Sequence, residues 1–404
     1  MVIRNRQSAI AWTVNLPRAN PDYHLTPMRR CFPFIALLAM IALLGQVQPP
    51  HLPVTLGAQH SVRTRNALAG VHTRFVEEAE AWKIKRGLEM IREMGAPWIV
   101  EFFPWAYYEK GEGQRDFSAA ERIVAHANRQ GLTVIARLGF VPEWARPDST
   151  TFTYLDPERY GDFADFAAAF AAHFKGRIGH FVIWNEPNLQ NEWGMRRVDP
   201  AGYVAMLRAV YPAIKRANPD AVVMAGALAP TIERNRDVAL SDLEYLEEMY
   251  GALRGAQQAT RAAAAEDVPS STVRLPWDAL AAHPYGATLP PEAPPDPAVI
   301  NFRRVELLRA IMLKHGDPSP VYITETGWND DTNWVNGVTP AERIHYTLRA
   351  LDYARAHWPW VRCVAFWVFK LPAPARGYRD HFTFVTPSLE PLPIYDEVKR
   401  ALAR

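Results

Sequence analysis

From Ala69 onward one pattern recurs eight times, a short continuous apolar run followed by an amphipathic helical stretch. The runs Ala69–Phe75, Trp98–Phe103, Leu132–Leu138, His180–Trp184, Ala221–Ala225, Ala279–His283, Val321–Thr324 and Cys363–Val368 read as strands. Between and after them, Glu80–Met94, Ser118–Gln130, Pro157–Phe174, Pro200–Ala217, Leu240–Leu253, Ile300–Lys314, Pro340–Ala356 and Ile394–Leu402 read as helices. A strand that is apolar along its whole length needs cover on both faces, and the intervening helices supply one of them. Eight such units favour a closed parallel (β/α)8 barrel of the α/β class (a TIM barrel) over an open doubly wound sheet. No G-x-G-x-x-G turn follows the first run, which argues against dinucleotide binding. Residues 66–404 show neither an internal repeat nor a linker, so they read as one domain.

In such a barrel the strand C-termini share one face, where reactive side chains gather. Two glutamates fall there. Glu186 ends the fourth run in Trp184-Asn185-Glu186-Pro187-Asn188, and Glu325 ends the seventh in Ile323-Thr324-Glu325-Thr326-Gly327. A carboxylate at the tip of a buried strand serves a core poorly and a cleft well. Two of them suit acid/base and nucleophile chemistry at a sugar bond. The 13 tryptophans, within an aromatic content of 11%, are enough to furnish stacking faces for pyranose rings, although core filling is the competing use for each. A formal charge of +2 gives no case for nucleic acid or polyanion binding. Cys31 and Cys363 are the two cysteines, and neither a disulfide between them nor a zinc or redox spacing is expected. Asn329-Asp330-Asp331 lacks the spaced ligand pattern of a calcium loop and reads as solvated. No metal and no cofactor is expected.

Taken in order along the chain, these motifs resemble the retaining glycoside hydrolases of clan A. Trp-Asn-Glu-Pro-Asn at 184–188 is similar to that clan's acid/base signature after strand four, and Ile-Thr-Glu-Thr-Gly at 323–327 to its nucleophile signature after strand seven. His283-Pro284-Tyr285 resembles the strand-six His-x-Tyr, and Trp367 the strand-eight tryptophan that floors the sugar site. The resemblance covers nearly all of 66–404 and is nearest the family 39 xylosidase and family 5 cellulase-like groups. One position departs from it: Val100 stands where many relatives carry a strand-two arginine that supports the nucleophile, with Arg137 and Arg74 as candidate substitutes.

The resemblance implies that Glu325 attacks the anomeric carbon and that Glu186 protonates the leaving oxygen, then activates water. It implies Tyr285 as a donor to Glu325, Asn185 as a partner of the sugar 2-hydroxyl, and Trp367 beneath the cleaved sugar. His283 orients Glu186 or touches substrate, with a structural histidine as the alternative. Trp105, Trp144, Trp193 and Trp328 are candidate platforms in flanking subsites, with packing as the alternative for Trp105 and Trp144. Glu101 and Glu143 sit near strand ends outside any recognisable catalytic motif and rank as substrate-bonding or structural groups. The expected partner is an oligosaccharide or polysaccharide, handled by a monomer that cleaves β-glycosidic bonds with retention. A non-catalytic carbohydrate-binding barrel and a transglycosylase in polysaccharide assembly are the alternatives.

Upstream, Met28-Arg29-Arg30 precedes an apolar stretch from Cys31 to Leu44, and Gly45 to Pro50 follow. Basic residues, a short apolar run and a polar region form a secretory signal pattern, with Gly45 the best candidate for the last removed residue. The run falls short of the roughly 20 apolar residues of a comfortable membrane span, so an uncleaved membrane anchor is the second reading. Translation is expected to start at Met28, which makes 1–27 a start-site artefact, 28–47 the signal or anchor and 48–65 a linker. The expected location is secreted or extracytoplasmic. The segment Ala256–Leu275 is expected to be a flexible excursion on the bottom face. Gly286–Pro297, Trp328–Thr339 and Leu371–Pro393 follow strands six to eight and are expected to shape the substrate cleft.

Overall fold

The computed structural model describes residues 54–264 and 275–402. The expected leader or anchor, with Met28, Cys31 and Gly45, lies outside the described residues, as does the later part of Ala256–Leu275. Among the described residues, no helix is long and apolar enough to cross a membrane.

Eight strands close into a parallel barrel: β1 (Ala69–Thr73), β2 (Trp98–Pro104), β3 (Thr133–Gly139), β4 (His180–Ile183), β5 (Val222–Leu228), β6 (Ala279–Ala282), β7 (Val321–Ile323) and β8 (Val361–Phe366). They pair in chain order, and β1 pairs with β8 to complete the ring. The outer ring holds α1 (Ala81–Met94), α2 (Ser118–Arg129), α3 (Tyr160–His173), α4 (Pro200–Ala217), α5 (Asp242–Ala264), α6 (Val305–Lys314), α7 (Pro340–His357) and α8 (Pro393–Leu402). The eight-unit reading of the sequence therefore holds. Boundaries shift by a few residues, mostly where a 3-10 turn precedes the helix, as at Pro157–Arg159 before α3 and Phe302–Arg304 before α6. One stretch differs in kind: Ala256 to Ala264 continues α5 instead of opening an irregular excursion. A short helical turn, Trp105–Tyr108, and a small hairpin, Glu109–Gly111 with Gln114–Arg115, were not legible.

The strands are apolar throughout because both faces are buried. Val100, Ile135, Val182, Met224, Ala281 and Cys363 fill the barrel interior, while alternate strand residues such as Ile99, Val134, Phe181 and Val223 face the helices. Burial pushes the Cys363 thiol up, so it stays an uncharged packing group.

Local signals fix the helix ends. Thr339 and Glu342 exchange bonds in a capping box that starts α7, with Pro340 at its first position. Asp199 accepts from the Ala201 amide at the start of α4. Gly95 closes α1 at φ 87°, a left-handed conformation that costs glycine little.

Buried ion pairs tie down the loops at the strand C-termini. Arg304, 1% exposed, meets Asp242 at 2.8 Å and donates to the carbonyls of Pro297 and Val299. It thus straps the end of the proline-rich segment after β6 to the start of α5. Lys370, just after β8, pairs with Glu78 ahead of α1 at 2.8 Å, also out of water.

Candidate active site

A cleft of about 550 Å³ opens at the C-terminal end of the strands. His72, Arg137, Asn185, Glu186, Tyr285, Glu325 and Trp367 all contribute to its wall, brought together from β1, β3, β4, β6, β7 and β8 or the residues just after them.

Glu186 owes its direction to an unusual backbone. Trp184 and Glu186 both adopt left-handed conformations, φ 72° and 42°. Non-glycine residues reach that region at about 1–3 kcal/mol each and hold it only where their surroundings insist. Here the Trp184 amide donates to Leu138, the Glu186 amide donates to Ala227, and the Trp184 indole donates to the Glu192 carbonyl at 2.7 Å. Asn188 has a different task from Asn185. It is wholly buried and bonds the backbone of Ala229 and Leu240, locking the β4 loop onto the β5 loop.

Glu325 is 8% exposed and ringed by donors. Arg137 Nη1 donates to Oε1 at 2.5 Å, Tyr285 Oη donates to Oε2 at 2.8 Å, and His72 Nε2 stands 3.5 Å from Oε1. Burial opposes the negative charge. His283, Arg137 and His72 outweigh it, and the carboxyl is held far below the usual carboxylate range. Tyr285 moves the other way: burial, then the charge of Glu325, push its hydroxyl well above the ordinary phenol value, so it remains a donor. Arg137 also bonds Asn185 Oδ1 at 2.7 Å. That fixes the amide with its oxygen turned to Arg137 and its Nδ2 on the side of Glu192, at the cleft wall.

Arg137 therefore supplies the cation expected at Val100. Val100 itself points into the barrel interior, and Arg74 pairs with the nearby Glu77. His283 faces Glu186 through Nδ1 at 2.9 Å and the Thr324 hydroxyl through Nε2 at 3.1 Å. An imidazole so placed can donate to an ionised Glu186 while Thr324 donates to its other nitrogen.

One oxygen of Glu186, one of Glu325 and a nitrogen of His283 lie within 4.8 Å of one another. A His and two carboxylates form a conceivable metal set. Arg137 and Tyr285 already occupy the Glu325 oxygens, however, and a guanidinium 2.5 Å away takes the place a cation would need.

The aromatic furniture differs from expectation. Trp367 lines the cleft half-buried, edge-on to Phe382. Trp105 does not line it. The turn Trp105–Tyr108 swings its ring outward from the barrel onto Phe163 and Phe166 of α3, where it is fully buried and bonded to Glu109. Trp144 packs edge-on to Trp105, bonds the Glu109 carbonyl and is likewise absent from the cleft wall. Trp193 packs against Trp184 and Tyr203. Trp328 touches the cleft but is 1% exposed, pinned by Phe302, Tyr346 and the Leu289 carbonyl. A side chain at Gly286 would meet that ring at 2.0 Å, which is why glycine stands there.

Besides Trp367, Tyr285 and Trp328, the cleft is lined by the rings of Phe102, Phe140, Trp334, Tyr378 and Phe382, none of these five singled out by the sequence. Of the two spare glutamates, Glu101 is buried beneath the site, accepting from Thr73 and the amides of Phe75 and Val76, and burial lifts it to about 7. Glu143 is in solvent beside Arg146. A third cleft carboxyl, Glu192, went unnoticed; burial, then the charge of Glu186, raise it to about 7.

No family model matches the chain, and no curated protein matches it. Solved structures do. A family 39 glycoside hydrolase from Bacteroides cellulosilyticus superposes with a TM-score of 0.63 at 20% identity, over 84% of this chain and 64% of its own. A monomeric β-xylosidase from Caulobacter crescentus gives 0.56 at 17% identity, over 84% and 69%. An exo-β-1,4-mannosidase from an Opitutaceae bacterium gives 0.53 at 16% identity, over 86% and 62%. The chain thus spans about two thirds of the length of these proteins. Likeness at such identities establishes the (β/α)8 fold.

Proposed function

We propose that this protein is a retaining β-glycosidase, with Glu325 as nucleophile and Glu186 as acid/base. The observation that carries the reading is the carboxylate spacing. Facing oxygens within 4.8 Å support the close spacing of a retaining pair, roughly 5–5.5 Å between carboxyl groups, over the about 6.5–9.5 Å of an inverting one. The environments of the two groups divide the roles. Glu325, bonded to Arg137 and Tyr285, is kept ionised for attack. Glu186, bonded to His283 Nδ1, takes the acid/base role.

In the first step Glu325 attacks C1 while Glu186 gives its proton to the leaving oxygen. A covalent glycosyl ester replaces the glycosidic bond, and the charge on Glu325 disappears. Glu186, now ionised and steadied by His283 Nδ1, takes a proton from water, whose hydroxide attacks C1 and releases Glu325. Asn185 Nδ2 donates toward the sugar 2-hydroxyl, a contact that strengthens as the ring gains positive charge. Trp367 lies under the sugar in the cleaved subsite. The names of the solved relatives, a xylosidase and a mannosidase among them, support a carbohydrate substrate. Arg137 removes the one argument that Val100 offered for a barrel that only binds glycans.

The test is chemical rescue. Glu325→Ala on an aryl β-glycoside with a good leaving group should lose turnover and regain it with azide, giving the α-glycosyl azide. Ordinary activity in Glu325→Ala without azide contradicts the assignment.

A further inference from the structure

Two pairs of aromatic rings at the rim of the cleft have no part in the chemistry just described. On one side, Phe140 follows directly after β3 and packs on Phe152 of the same loop, with ring centroids 4.3 Å apart. Phe140 is held at φ 59° and lines the cleft; Phe152 is 51% exposed, and its carbonyl accepts from the Val141 amide. On the other side, Trp334 in the loop after β7 stacks nearly parallel on Tyr378 in the loop after β8, 4.7 Å apart with 20° between their planes. Both line the cleft, and Tyr378 is 42% exposed. Asn329 Nδ2 holds this second pair in place by donating to the Tyr378 carbonyl.

Exposed rings such as Phe152 and Tyr378 do little for the core, and rings already held against a partner, tilted at 46° in the first pair and stacked at 20° in the second, lose little freedom on meeting a flat apolar surface. Their placement selects the partner. In an eight-stranded ring β3 and β7 are four strands apart and so face each other across the mouth. Arg137 on β3 reaching Glu325 after β7 spans the floor between them. Glu186 after β4 and Glu325 after β7 line the same cleft, with the ring-bearing loops on opposite sides of its mouth. A pocket for one terminal sugar needs a single wall beyond the cleaved residue. Here aromatic surface stands on both sides of the cleft.

We infer that the cleft takes a polysaccharide chain laid across the barrel mouth, with sugars on Phe140/Phe152 and on Trp334/Tyr378, and cuts it internally. This rests on the glycosidase reading above and names the substrate class of the same site. The C1–O bond of an inner residue breaks, water supplies hydroxide to C1 and a proton to the leaving oxygen, and both products are oligosaccharides.

The experiment uses β-1,4-linked xylo-, manno- and cello-oligosaccharides of two to six units. In whichever series is cleaved, kcat/KM should rise at least tenfold from dimer to hexamer, with dimers and trimers as early products. Phe152→Ala and Tyr378→Ala, both at exposed positions where folding is checked by thermal melting, should each shrink that chain-length gain by about tenfold, as expected for about 1.4 kcal/mol of ring contact. A gain that is flat with length, or single sugars released one at a time from an end, overturns the inference and leaves the glycosidase reading standing. Failure to cleave any series while an aryl β-glycoside is turned over overturns the inference alone; failure on the aryl glycoside as well removes both.

Discussion

Arg137→Met removes the cation that holds Glu325 while keeping a stem of similar length. In the native protein one guanidinium nitrogen lies 2.5 Å from Glu325 Oε1 and 2.7 Å from Asn185 Oδ1, with both charged side chains only 10% exposed. Two outcomes are open to the variant at pH 7. Keeping Glu325 ionised without its partner costs about 3–5 kcal/mol, the usual result of breaking a buried pair from one side. Protonating it instead costs about 1.36 kcal/mol for each unit between an ordinary carboxyl near 4.3 and the solution pH, which is about 3.7 kcal/mol at pH 7. Both routes give nearly the same loss, so urea unfolding should show a deficit of about 3–4 kcal/mol at pH 7.

The pH dependence follows from the direction of the shift. A carboxyl held low in the fold contributes stability above its unfolded value and loses it as pH falls through the folded value. The gap between native and variant should therefore narrow as pH falls, from pH 7 toward about 4.3 where the variant protonates Glu325, and below about pH 4.3 as the native protein loses its own share. Activity should fall by about 10²–10³ in kcat, the size seen when one preorganised donor is removed from a buried site. The acid limb of kcat/KM should move upward in pH. If Arg137→Met keeps native stability at pH 7 and an unmoved acid limb, Arg137 does not hold Glu325 ionised.

Two further predictions follow from neighbouring groups. Asp242→Ala leaves the Arg304 guanidinium buried without its counter-ion, so thermal and urea unfolding should report a loss of about 3–5 kcal/mol, and Asp242→Asn should recover part of it. Glu192 is raised to about 7 by burial first and by Glu186 second, so Glu186→Gln should lower its midpoint toward the ordinary range; carbon-13 NMR of the glutamate carboxyls reads this directly, and an unmoved midpoint refutes the coupling.

How much of this was legible depended on how local each signal is. The eight-strand order shows in the sequence because each strand is a continuous apolar run and each helix carries its own cap, as at Thr339–Glu342. Glu186, Glu325, Tyr285 and Trp367 stand in short motifs at strand ends, and the barrel brings strand ends together. Arg137 could be named only as a candidate, because its reach to Glu325 is a contact across 188 positions. His72 gave no signal at all on an apolar strand, yet it lies buried 3.5 Å from Glu325, with burial and then Arg137 holding it well below the ordinary imidazole value.

Trp105, Trp144 and Trp193 stay out of the cleft wall for a physical reason. Proximity to a strand end fixes where the backbone is, not which way the ring turns. At Trp105 one helical turn sends the ring into α3, whereas Trp334, in an irregular loop with no periodicity to mark it, lies over the cleft. Glu192 was hidden likewise, placed by the 3-10 turn Asn191–Trp193 and by the bond from the Trp184 indole to its carbonyl.

The central claim is double displacement between Glu325 and Glu186. Proton NMR during early turnover of an aryl β-glycoside tests it most directly, because the first-formed sugar shows its anomeric configuration before mutarotation erases it. The β-anomer appearing first, with the α-anomer growing in later, is the predicted result. The α-anomer appearing first would mean inversion, and the carboxylate assignment would fall with it.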